Sequence, residues 1–60
     1  MTPLEFKEKV GAYYSQVIDG HLSKDDAEDA ILDTLTAVSE KDEEEARDCH
    51  YEVWNEYFNK

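Results

Sequence analysis

Ala46-Arg47-Asp48-Cys49-His50-Tyr51-Glu52-Val53-Trp54-Asn55-Glu56-Tyr57-Phe58 is the stretch that decides the fold. Within it Ala46, Cys49, His50, Val53, Trp54, Tyr57 and Phe58 recur at spacings of three and four, which at 100° per residue puts them on one stripe of an α-helix. A half-buried strand needs apolar residues at every second position, and no segment of the chain has that pattern. The stripe predicts a helix over roughly residues 40–57. Ser39 and Asp42 read as a capping box at its start, although the acid-rich stretch there also fits a continuation of the preceding helix.

The two preceding segments carry the same period. Ser23 followed by Lys24-Asp25-Asp26 is a helix start, because a serine oxygen accepts from free backbone N–H groups and carboxylates sit well at the positive end of the helix dipole. The helix predicted over 23–38 places Ala27, Ile31, Thr34, Leu35 and Val38 on one face, with Leu32 at the edge where a second surface can meet it. Thr2-Pro3-Leu4-Glu5 reads as a capping box with proline at the first helical position, and it opens a helix over about residues 3–19. Phe6, Val10, Tyr13 and Val17 form its stripe, widened by Tyr14 and Ile18. Gly20 supplies the left-handed residue that ends it. Gly11, inside it, costs about 1 kcal/mol relative to alanine.

Short connections favour antiparallel neighbours, so the expected fold is all-α: one domain over residues 1–60, an up-down-up three-helix bundle. The alternative is a helical hairpin completed by homodimerisation. A chain of 60 residues buries only about 60% of the surface its unfolded form exposes. Cys49 is its single cysteine, so no intrachain disulfide can add to that core.

Charge is the strongest compositional signal. The net charge is −10, and it is unevenly placed. Up to Lys24, Glu5, Glu8 and Asp19 are balanced by Lys7, Lys9 and Lys24, whereas residues 25–56 hold thirteen acids against Lys41 and Arg47 alone. Such a chain repels nucleic acid and anionic lipid and attracts basic protein surfaces over a Debye length of about 8 Å in physiological salt. Direct nucleic-acid binding and membrane binding are therefore not expected. A hydrophobic content of 40%, with seven aromatic residues, argues for a folded chain despite the charge. The N-terminal residues carry neither a basic segment nor an apolar run of signal-peptide type, and no apolar run approaches the roughly 20 residues that span a bilayer, so the expected location is cytoplasmic.

Chemistry has little to build on. Asp19-Gly20-His21-Leu22-Ser23-Lys24-Asp25-Asp26 resembles the second half of an EF-hand calcium loop, but in that register Ser15 and Val17 stand where oxygen ligands are needed, and Asp26 stands where a bidentate glutamate belongs. A calcium-responsive switch is thus a minor alternative to a glycine C-cap followed by a serine N-cap. Cys49-His50 lacks partners for zinc, since His21 is the one other histidine or cysteine and zinc takes three or four ligands. Both residues lie on the apolar stripe. No phosphate loop, nucleophile elbow or zinc-binding helix motif occurs, so the expectation is a non-enzyme without cofactor, metal or catalytic residues.

Two carboxylate rows remain. Glu44, Asp48, Glu52 and Glu56 follow at steps of four, about 6 Å apart along a helix axis, on the side away from Ala46, Val53 and Tyr57. Asp25, Asp29 and Asp33 make the second row. Like charges at this spacing weaken a helix by a few tenths of a kcal/mol per pair, and within the predicted helices no member of either row has a basic residue at that step, as Glu43 has in Arg47. Phosphates along a DNA strand are spaced on the same order. At the level of strategy alone, the array resembles the acidic phage-encoded proteins that block DNA-processing enzymes by imitating DNA. That resemblance implies an acidic inhibitor or regulator docking on a basic, nucleic-acid-binding protein. The bland reading is that the acids only solubilise the bundle, although a net charge of about 2 to 8 in magnitude suffices for a small domain. A different interface would use Tyr14, Leu32, Tyr51, Trp54 and Phe58, near the stripe edges, as anchors for a structural accessory role or a homodimer.

Overall fold

A computed structural model of the chain describes residues 1–59. It is an up-down-up bundle of three helices, α1 (Pro3–Ile18), α2 (Lys24–Leu35) and α3 (Glu43–Phe58), with no strand among the described residues. Two cross-links show that α1 and α3 run parallel: Lys7 meets Glu52 and, further along both helices, Ser15 meets Tyr57. The turn after α1 reverses α2, so Lys9 and Tyr13 share a hollow with Asp33, Thr34 and Ala37.

The helix starts follow their caps. The Thr2 hydroxyl accepts from the Glu5 N–H at 3.2 Å, and Ser23 accepts from the Asp26 N–H at 3.1 Å. The end of α1 is a Schellman turn. Gly20 takes φ +83°, its N–H bonds the Val17 carbonyl, and the His21 N–H reaches back to Gln16 at 2.9 Å. These bonds account for the whole stretch that resembles half a calcium loop.

The junction of α2 and α3 differs from the sequence expectation. Helix α2 ends at Leu35, short of Val38. The Thr36 hydroxyl donates to the Asp33 carbonyl at 2.6 Å, and the Ala37 and Val38 N–H groups tighten into three-residue turns. Val38 is nevertheless buried, at 7% exposure, on the side the helical period gives it. Helix α3 begins at Glu43 with Asp42 as its cap residue, and no side chain caps it. The Ser39 hydroxyl spends its bond on the Asp42 carboxylate at 3.2 Å, so the expected box does not form.

Phe6, Val10 and Tyr14 from α1, Ala27 and Ile31 from α2, Ala46 and Val53 from α3, and Val38 between them form the core. Fully burying a side chain such as Phe6 or Ile31 is worth about 1.5–3 kcal/mol. Helix α1 packs against both others, whereas α2 and α3 touch each other only sparsely. The molecule is accordingly flattened, with extents of 33 × 22 × 15 Å. No helix among the described residues is long and apolar enough to cross a membrane.

Candidate protein-binding surface

The sparse contact between α2 and α3 leaves a groove on the face opposite α1. Tyr14 lies at its floor. Its hydroxyl is 2.7 Å from His50 Nε2, and its ring stacks on that imidazole with centroids 5.9 Å apart while meeting the edge of Phe58 at 5.0 Å. Tyr14 is 0% exposed, which corrects its assignment to a stripe edge. An α1 covered on both flanks buries a wider face than one stripe implies, and the line Phe6-Val10-Tyr14 becomes its centre. Trp54 and Phe58 are half-buried. Leu32 and Tyr51 face outward, at 57% and 66% exposure, and Tyr51 stacks on Trp54 at 6.3 Å. Lys24 closes one end, its ammonium 5.1 Å from the Phe58 ring centroid and 5.7 Å from that of Trp54, a contact worth about 0.5–1 kcal/mol at an exposed site.

Burial sets the protonation of the groove. The His50 pKa is lowered, first by loss of hydration, with Glu28 pulling the other way. The imidazole is therefore neutral at pH 7. Tyr14 is shifted up by burial and further by Glu28. On the adjoining face burial raises the Cys49 thiol, opposed by Lys7. A thiol held above its ordinary pKa is little ionised at neutral pH and so a weak nucleophile. His50 directs Nε2 at Tyr14.

All seven members of the two carboxylate rows, Asp25, Asp29, Asp33, Glu44, Asp48, Glu52 and Glu56, are exposed. One of them has a partner that spacing along a single helix does not reveal: Lys7 Nζ lies 3.1 Å from Glu52 Oε2, across from α1. The lysine pKa is raised by this hydrogen bond and charge. Arg47 bonds Glu43 at 2.8 Å, as its spacing predicts. The other members of the α3 row, Glu44, Asp48 and Glu56, make no ion pair among the described residues. The α2 row, Asp25-Asp29-Asp33, makes no ion pair among the described residues.

No protein-family model matches this chain, and no curated protein or solved structure is significantly similar to it.

Proposed function

We propose that this protein is a non-enzymatic binding module: an acidic inhibitor or regulator that docks on the basic surface of a nucleic-acid-binding protein. The observation that carries this reading is the exposure of both carboxylate rows on two helices braced by one core. A helical array holds its charges at regular backbone spacing, so little backbone freedom is lost on binding, and the negative potential steers a basic partner and speeds encounter. The spacing along each row, about 6 Å, suits a cleft that normally follows a phosphate backbone.

The test is competition. Immobilised protein is exposed to nuclease-treated lysate at low salt, and bound proteins are eluted with duplex DNA. Nucleic-acid-binding proteins should leave with the DNA, and a D29K/D48K variant should fail to retain them. These two positions are preferable to Glu52, whose loss also frees Lys7. A captured set indifferent both to DNA and to the charge reversals would sink the proposal.

A further inference from the structure

We infer that the groove between α2 and α3 receives one amphipathic helix of the partner, apolar on the face it inserts and lysine- or arginine-rich on its flanks. The inference rests on the acidic-docking reading and specifies the partner at that surface.

In a closed three-helix bundle each helix covers the other two. Here α1 covers both neighbours while α2 and α3 scarcely meet, so a position for a fourth helix is open opposite α1. Two hollows of about 350 and 410 Å³ lie along it. Leu32 and Leu35 line it from α2, and His50, Tyr51 and Trp54 from α3. Leu32 and Tyr51 stand more than half exposed at its mouth, and aromatic rings are the residue type that most often carries interface energy. A cleft between two helices suits a third helix, whose ridges fit between theirs. The shorter wall, helix α2, has 12 residues, about 18 Å at 1.5 Å per residue, so about three turns of a partner fit between the two helices.

Charge selects the occupant. Asp25 and Asp29 follow Leu32 around the outer side of α2, and Glu44 and Asp48 flank Tyr51 around the outer side of α3. All four are exposed. The basic side chain nearest the groove on α3, Arg47, is held by Glu43. Apart from Lys24 at one end, both rims are therefore negative. A second copy of this chain would bring the same acidic rims and another net charge of −10 to the contact, whereas a helix with cationic flanks meets carboxylates on both sides. The ammonium of Lys24 resting on Trp54 and Phe58 shows that the groove's aromatic faces already accept a cation.

The experiment uses two synthetic 18-residue peptides made only of leucine and lysine. One repeats leucine at i, i+3, i+4 and i+7, and the other has the same composition without that period. Binding is read by calorimetry and by emission of Trp54, the single tryptophan. The periodic peptide should bind at least tenfold more tightly and shift the emission to the blue. The L32S/Y51S variant, whose replaced side chains are mostly in water and whose folding is checked by circular dichroism, should lose that tenfold advantage. If both peptides bind equally and the variant matches the parent, the groove assignment is overturned while acidic docking stands. If neither peptide binds at low salt, both readings fail. If sedimentation finds a dimer that the variant abolishes, the groove belongs to a second copy and the basic-helix assignment is overturned.

Discussion

Gly11 and Gly20 are one residue type under opposite constraints, and the difference sets the sign of the same substitution. Gly11 lies inside α1, and a Cβ built on it meets nothing within 4 Å. Gly11→Ala should therefore raise stability by about 0.5–1 kcal/mol, chiefly by removing freedom from the unfolded chain. Gly20 also has open space around its Cβ position, but it holds φ +83°. There alanine should cost about 1 kcal/mol or more, because the left-handed region is unfavourable for a residue with a Cβ. Thermal melts of the two variants, moving in opposite directions, check both. His50 supplies a pH dependence. Its folded pKa lies below the ordinary histidine value, so well above that value both states are neutral and the shift contributes nothing. As pH falls through about 6.5 the unfolded chain takes the proton first, and stability declines until the lower folded pKa is passed. The melting temperature should fall between pH 7.5 and 5.5, and His50→Gln, which keeps a polar group that can hydrogen-bond Tyr14, should lessen that fall. The histidine was legible in the sequence as a member of the apolar stripe. Its bond to Tyr14 was not, because the two residues are 36 positions apart and their meeting depends on how α1 and α3 cross.

The helices themselves were legible because each start has a side-chain device whose chemistry is local. Thr2 and Ser23 both cap their helices, although the Glu5 carboxylate accepts from the Thr2 hydroxyl rather than closing the box on a backbone N–H. The ends of the α2–α3 connection were not, because Thr36 and Ser39 bond neighbours in the connection, Asp33 and Asp42, in place of the expected cap. The acidic rows were placed correctly on the outer faces, but Lys7 was invisible as a counter-ion to Glu52, since period-four reasoning sees only one helix at a time. The same rows make a prediction at the level of the helix. Asp48 stands one step from Glu44 and one from Glu52, in the middle of α3, where a lysine would face a carboxylate on each side. Asp48→Lys should gain about 0.3–0.5 kcal/mol per pair at low salt, less whatever the Lys7 bond to Glu52 loses. A modest rise in melting temperature that disappears near 1 M NaCl is the expected record. The same variant is expected to lose partners. Greater stability with weaker binding would mean that the row is retained at a cost to the fold, as a solubilising face need not be.

Across the whole molecule the charge opposes the compact state. A net −10 spread over 60 residues repels itself, and folding brings α2 and α3, which carry most of it, closer together than the unfolded chain does. Their sparse direct contact is in keeping with this, since Glu28 and Glu43 both line the hollows between them. Screening should therefore help the fold. Raising NaCl from about 20 mM to 0.5 M shortens the Debye length from roughly 20 Å to about 4 Å, and the melting temperature should rise across that range. A basic partner held by the same carboxylates should respond in the opposite sense, with affinity falling as salt rises. The two signs can be measured in one set of buffers, by calorimetric melts of the free protein and by titration with the periodic leucine-lysine peptide. Because the fold grows firmer as salt rises, loss of binding cannot then be assigned to unfolding. Affinity that persists at 0.5 M salt would place the binding energy in the groove's leucines and rings, and affinity that vanishes there would place it in the rows.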